Sequence, residues 1–451
     1  MMYNRRSFLK SSALAGGSLA GLDLLVPRHA RATVPQFGGN IPGFGPLVPT
    51  PSQNTGEVLL ALPRGFKYNL LIRRDAMMSD GRLFPQNADG MGAFDHHGAV
   101  RLVCNTERGA GSPPLGALPY DSKAQGGTVS LTVDPVTRLL TDAFVSSSGT
   151  VRNCAGGITP WGTWLTCEES NLGPSATLNQ QHGYIFEVPA FAAGETAVEP
   201  LVHLGLHYPE AAVVDPETGI VYITSDRTPC GTFRFIPDTP GNLAGTGRVQ
   251  MLAIAGFTEP GVGYDTRTGQ QVGATLPVTW VDIDDPSNEA AYRADALYTY
   301  KQGLARGGAT FVRGEGAVYS RNSVFFASTN GGDAGLGQIF ELHLKNNDVQ
   351  ELELIFESTD EAAMAAPDNI CISRLNNNLI ICEDGGGAEY LHLLRRSGNQ
   401  VYRLAENLYP GQTGSEWAGA CFSPDGQTLF ANIYTPGAVL AIWTDRWGTI
   451  N

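Results

Sequence analysis

The feature that most constrains this chain is a hairpin that recurs six times. Strand-like runs flank tight turns at 94–107, 155–169, 211–226, 316–330, 369–384 and 417–433. Turns such as Asp215-Pro216-Glu217-Thr218-Gly219 and Ser423-Pro424-Asp425-Gly426 carry the residues that reverse a chain between β-branched and aromatic stretches. A second kind of hairpin alternates with the first and opens on glycine. It appears at Gly183-Tyr184-Ile185-Phe186, Gly231-Thr232-Phe233-Arg234-Phe235, Gly337-Gln338-Ile339-Phe340 and Gly437-Ala438-Val439-Leu440, with weaker versions at Gly126-Gly127-Thr128-Val129 and 391–404. Starts of the first kind lie 61, 56, 105, 53 and 48 residues apart. Six units of two hairpins predict an all-β fold, a six-bladed β-propeller, with five or seven blades as alternatives. The long gap reads as one blade plus an insertion near 255–305. Residues 33–54 read as an extended N-terminal arm and 55–451 as a single propeller domain, in which 55–75 can supply a strand that closes the last blade.

Composition agrees with a turn-rich globular chain: 55 Gly, 28 Pro and only 16% charged residues in 451 do not make a coiled coil or helical bundle. The net charge of −14 argues against a general nucleic-acid partner, which needs basic patches, and suits divalent cations. Residues 1–32 read as a removable leader. Asn4-Arg5-Arg6-Ser7-Phe8-Leu9-Lys10 resembles a twin-arginine export signal, a mild apolar region follows, and Ala30-Arg31-Ala32 offers a cleavage site before Thr33. Beyond it no run of about 18 apolar residues exists to span a membrane. A periplasmic or secreted monomer, delivered by the twin-arginine machinery, is expected. The seven cysteines cannot all pair and include no C-x-x-C. Those in apolar runs, such as Cys104 and Cys382, read as buried small hydrophobes; Cys154 stands in a different context.

Ahead of the first-kind hairpins come Cys154, Glu210, Glu315, Asp368 and Glu416, with Ala93 breaking the series in the first unit. Their far ends carry Glu107, Glu168-Glu169, Asp226 and Glu383-Asp384. The start of one antiparallel strand lies beside the end of the next, so both sets should meet on one face, around a central channel. Any one acid alone is an ordinary solvated or salt-bridged strand end, and a lone Cys154 an ordinary buried thiol; recurrence at equivalent repeat positions is what points to a site. Buried, crowded carboxylates are costly without cations. An oxygen-rich cluster suits calcium, and a thiolate within it points to a softer or redox metal such as iron or zinc. Arg313, two residues before Glu315, should face the same side of its strand. There it either balances charge or grips a phosphate.

Residues 153–169, Asn153-Cys154-Ala155-Gly156-Gly157-Ile158-Thr159-Pro160-Trp161-Gly162-Thr163-Trp164-Leu165-Thr166-Cys167-Glu168-Glu169, closely resemble the signature of PhoX-type alkaline phosphatases. Glu210-Ala211-Ala212, Phe311 to Gly316, Pro367-Asp368-Asn369, Cys382-Glu383-Asp384-Gly385 and Ser415-Glu416-Trp417-Ala418-Gly419 resemble its other blocks, so the likeness runs from about residue 90 to the C-terminus. The resemblance implies an exported propeller phosphomonoesterase with iron and calcium bridged by carboxylates. It implies Cys154 as the iron thiolate, Glu169, Glu210, Glu315 and Glu416 as metal ligands, and Arg313 as a phosphate contact. Asn105 and Glu107 carry over from Asn105-Thr106-Glu107 as a catalytic contact and a ligand; the repeat adds Asp368 as a ligand. The chain departs from the pattern in its shorter length, in Ser225 where an acid is expected, and in Thr106 where a histidine is expected.

The expected chemistry is metal-assisted hydrolysis of small phosphate monoesters. A calcium-dependent propeller lactonase or esterase is the competing enzyme, using His96, His97, His203 or His207. A non-catalytic propeller held by structural metals is the third reading.

Overall fold

The turn residues fold the chain back where the sequence places them, and the strands between them form six antiparallel blades. The computed structural model describes residues 38–344, 350–396 and 400–450. The leader expected at 1–32 lies outside these residues, as do the first residues of the arm. The inner strands of the blades are Ala88–His96, Asn153–Ile158, Pro209–Val214, Gly314–Ser320, Pro367–Ile372 and Trp417–Phe422. Each packs against the next, and the sixth packs against the first, which closes the ring.

Closure of the sixth blade uses both ends of the chain. Its outermost strand is Lys67–Arg73, paired antiparallel with Ala438–Trp443. The neighbouring strand Val58–Pro63 instead pairs with the outer strand of blade five, Gln400–Asn407. Leu47–Pro51 adds to its far side, so the described part of the arm widens that blade. Blade two has three strands and a single bridge, Phe186 to Pro200, in place of a fourth. The insertion between blades three and four is structured. Its strand Thr275–Asp282 pairs with Gly247–Ile254 of blade three and Gln350–Glu357 of blade four, fusing the two into one nine-stranded sheet. Two short helices follow, Glu289–Ala294 and Tyr298–Leu304; Tyr292 of the first donates its hydroxyl to Ser170 O at 3.0 Å, over blade two.

The core is divided among the blade interfaces. Phe94, Val103, Trp164 and Phe186 fill the wedge between blades one and two, and Leu165, Val214, Ile223 and Phe235 the next. Leu393, Leu404, Leu429 and Leu440 do the same between blades five and six. Burial of both faces explains why the strands read as near-continuous apolar runs. All seven cysteines are buried and unpaired, and the six other than Cys154 sit in or beside these wedges.

Candidate metal centre

A single backbone device, repeated around the axis, aims the site's side chains. In each inner hairpin the pairing slips by one residue near the start of the inner strand. The slip encloses Asp89-Gly90, Cys154-Ala155, Glu210-Ala211, Glu315-Gly316, Asp368-Asn369 and Gly419-Ala420 in the six blades. Such bulges re-aim a side chain and commonly flank active sites. In blades one to five the first bulged residue carries the acid or thiol, and a small residue generally follows. At Gly90 the reason is contact: a Cβ there would lie 2.5 Å from Ala155 Cα of the next inner strand. Two residues before the acid or thiol in blades one to five, the backbone turns left-handed, at Asn87, Arg152, Tyr208, Arg313 and Ala366, with φ between 41° and 59°. Non-glycine residues in that region store strain, which clusters at functional sites.

The outcome is a set of overlapping donor groups. Asp89, Glu107 and Cys154 bring ligand atoms within 4.8 Å of one another, as do Cys154, Glu169 and Glu210, and again Glu210, Glu315 and Asp368. Cys154 and Glu210 each belong to two groups, so the three form one continuous cluster. Glu210 is 2% exposed and Glu315 4%. Burial first, and neighbouring carboxylates next, push Asp89, Glu210 and Glu315 well above the usual carboxylate range. Burial likewise raises Glu169, with Asp226 beside it, and the Cys154 thiol, with Glu107 beside it. Unbalanced negative charge in a low dielectric has this result. Glu416 is half-buried and raised in the same direction, first by desolvation and next by the Asp384 carboxylate beside it.

Two arginines enter the cluster from the same repeat position. Arg313 Nε donates to Asp226 Oδ1 at 2.8 Å and its Nη2 to Glu315 Oε1 at 2.7 Å. Arg152 Nε donates to Glu107 Oε1 at 3.0 Å and its Nη2 to Glu169 Oε2 at 2.7 Å. Both side chains stay partly open, 33% and 45% exposed, so N–H donors remain for a ligand.

Every metal-ligand residue expected from the sequence, Glu107, Cys154, Glu169, Glu210, Glu315, Asp368 and Glu416, therefore lies in or beside the cluster, and Arg313 borders it. Three details differ from the expectation. The first blade does not break the series, because its inner strand begins at Ala88 and not near 94; Asp89 holds the position assigned to Ala93. The signal was present as an acid followed by a small residue, Asp89-Gly90, matching Glu315-Gly316. Glu416 is out of register with the other acids. Its carbonyl accepts from Tyr434 N at 3.2 Å, just as that of Arg313 accepts from Thr329 N at 2.9 Å, so it enters from the arginine position. The sixth bulge starts at Gly419, where φ is +59° and a Cβ would lie 2.2 Å from Asp89 O. Lastly, Asn105 lies beneath the cluster. Its Nδ2 donates to Cys154 O at 2.6 Å and Ala155 O at 2.9 Å, while its Oδ1 accepts from Trp164 Nε1 at 2.8 Å. With its amide so occupied it acts as a positioning residue for Cys154.

The two departures also find a place. Ser225 and Thr106 end the second strand of their blades, the position held by Glu168 and Glu383 elsewhere. Side chains there serve the blade: Glu168 accepts from Val151 N at 2.7 Å and Gly183 N at 2.8 Å and meets His182 at 2.7 Å. Neither departure removes a group from the axis. Of the four histidines considered, none joins the cluster. His96 and His97 lie at the opposite end of the first inner hairpin, His203 is exposed, and buried His207 donates to Leu204 O, its pKa lowered to about 4 by desolvation.

The far end of the channel is different in kind. A cavity of about 340 Å³ opens there, lined largely by apolar side chains including Met91, Ile158, Val213, Val318, Ile370 and Phe422.

Fold and site together define a six-bladed propeller with a thiol and carboxylates gathered on its axis. The family model "Alkaline phosphatase PhoX" matches residues 135–437, and the chain belongs to that family. No match was found among curated proteins. Among solved structures, a gluconolactonase from Xanthomonas campestris is similar at 11% identity and a TM-score of 0.41, over 89% of this chain and 99% of that one. A luciferin-regenerating enzyme is similar at 9% identity and 0.40, over 84% and 96%. A putative 6-phosphogluconolactonase from Bacteroides uniformis is similar at 12% and 0.36, over 79% and 93%. Such identities and scores are too low to carry function. Among the described residues no helix is long and apolar enough to cross a membrane.

Proposed function

We propose that the protein is a metal-dependent phosphomonoester hydrolase, exported by the twin-arginine route to the periplasm or beyond, and acting as a monomer. The observation that carries this reading is the meeting of Cys154 with Asp89, Glu107, Glu169, Glu210, Glu315 and Asp368 in one buried cluster bordered by Arg313. The donor set fits iron and calcium: one thiol for a softer ion, and many carboxylate oxygens in excess of the two arginines near them. Cys154, Glu107, Glu169, Glu210, Glu315, Asp368 and Glu416 would hold the ions, with Asp89 added. When bound, such ions supply Lewis acidity and a nucleophile at mild pH.

The chain's own part is positioning and charge. Arg313 is fixed by Asp226 and Glu315 through Nε and Nη2, and its Nη1, 3.5 Å from Asn330 Oδ1, can donate to a phosphoryl oxygen. Asn105 locks the peptide that presents the thiol. Water adds to phosphorus, the bond to the alcohol oxygen breaks, and the leaving alkoxide takes up a proton. The lining residues stabilise the added charge at the phosphoryl oxygens.

Elemental analysis of purified protein, combined with p-nitrophenyl phosphate turnover before and after chelation, tests the reading. Iron and calcium with turnover lost on chelation are expected; metal-free protein with full turnover would overturn it. Arg313→Ala should raise KM by about tenfold or more with metal content kept, as expected for a lost charge-assisted contact.

A further inference from the structure

The rim above blades two to four carries a third guanidinium that the proposed hydrolysis does not use. Arg227 follows Asp226, and its backbone carbonyl accepts from Arg313 N at 2.8 Å, so the two arginines are neighbours. Its guanidinium carbon lies 4.3 Å from the centre of the Tyr208 ring. Among the described residues no carboxylate is hydrogen-bonded to it, unlike Arg152 and Arg313. The charges of Arg152 and Arg313 are met by Glu107, Glu169, Asp226 and Glu315, whereas Arg227 adds a guanidinium beside Arg313 that no such pair among the described residues neutralises. Stacking on the aromatic face holds Arg227 in place while leaving its donors free.

We propose that Arg227, stacked on Tyr208 and adjoining Arg313, forms a second anion subsite that selects phosphate monoesters bearing a further negative group on the leaving alcohol. The further group is a carboxylate or a second phosphoryl. Arg313 takes the phosphate that is cleaved, and Arg227 takes the other anion. This rests on the phosphatase reading and names the substrate class for the same site.

A two-carbon series tests it: ethyl phosphate, phosphoglycolate and ethylene glycol bisphosphate, assayed with metal-loaded protein. The wild type should show KM values about tenfold lower for the two charged substrates than for ethyl phosphate, with kcat little separated. In Arg227→Gln the preference should collapse toward unity, through KM and not kcat, and Arg227→Lys should restore part of it. The ratio between phosphoglycolate and the bisphosphate tells which anion the subsite serves better. Absence of any preference in the wild type overturns the proposal, as does a preference that Arg227→Gln leaves intact. If no ester in the series, nor p-nitrophenyl phosphate, is hydrolysed, the phosphatase reading has failed. The subsite is then judged by calorimetric titration of phosphoglycolate, where equal affinity of wild type and Arg227→Gln overturns it.

Discussion

The two ends of the same six inner strands have opposite characters. At one end each strand is bulged, five of the six are preceded by a left-handed residue, and carboxylates and one thiol crowd the axis. At the other end the pairing is regular and a largely apolar cavity of about 340 Å³ opens. A regular strand alternates its side chains and keeps that alternation to its end. The bulge breaks it once, which lets an acid turn toward the axis while the residues beyond it keep packing between blades. The chemistry of this propeller thus depends on a one-residue departure from the sheet and not on the sheet itself.

The most severe way to break this contrast is to remove the group that joins the cluster. Glu210 belongs to two donor groups, so Glu210→Gln opens both. Turnover of p-nitrophenyl phosphate should fall by at least about a hundredfold, since even outer-shell changes at metal sites cost about ten- to a hundredfold. Metal content measured on the same sample should fall with it. Retained turnover and metal would show that the cluster is not the reaction centre.

Adjacent carboxylates sharpen the comparison on a shorter scale. Glu169 faces the axis, while Glu168 is fully buried in its blade against His182 and three backbone N–H groups. Glu168→Gln should lower unfolding stability by ~3 kcal/mol in urea titration, because the buried His182 and backbone N–H groups lose their anionic acceptor. Glu169→Gln should reduce turnover with a stability change below ~1 kcal/mol or of stabilising sign, as a repelled charge is removed. Reversed roles would mean that the two strand-end positions have been misassigned.

These neighbours show how much of the site was legible in the sequence. The six units were visible because turn dipeptides and opening glycines recur, and with them most of the acids. The repeat alone did not tell which of two consecutive glutamates faces the axis, because orientation depends on a bulge whose position leaves little trace in sequence; Glu169 was singled out only by the family resemblance. Asp89 was hidden for a related reason: the first hairpin's turn is the His97-Gly98 pair, and the strand before it runs longer than in the other blades. Glu416 lined up with the other acids by its place before the hairpin, yet the sixth bulge begins later, at Gly419. The insertion near 255–305 was legible only as extra length between two units; that its strand joins two blades was not.

Charge balance gives a pH signature that only the cluster end can produce. Burial first, then mutual repulsion, raises Asp89, Glu169, Glu210 and Glu315 in the metal-free fold. In the unfolded chain such groups titrate near about 4. Above that, the folded state binds more protons than the unfolded one, so stability falls as pH rises toward the folded values. Chelated protein should therefore be most stable at about pH 4 and lose several degrees of Tm by about pH 7, read by thermal scans. Metal-loaded protein should gain stability over the same range, because its ligands must be deprotonated to bind. A Tm of the chelated form that rises with pH would show that something other than metal balances the carboxylates.

The smallest expected effect lies at the apolar end. Ile158 is 42% exposed and lines the cavity, four residues along the inner strand from Cys154. A strand advances roughly 3.3 Å per residue, which puts it on the order of 13 Å from the thiol, with the small residues of six strands packed between. Ile158→Ser removes apolar surface that is already partly wet, so stability should shift by no more than ~0.5 kcal/mol. kcat/KM for p-nitrophenyl phosphate should change by less than about twofold, a free-energy difference of the same small size. A loss of about tenfold or more would mean that the two ends of the channel are coupled, through the approach of neighbouring inner strands at Gly90 and Ala155 that holds the ring closed.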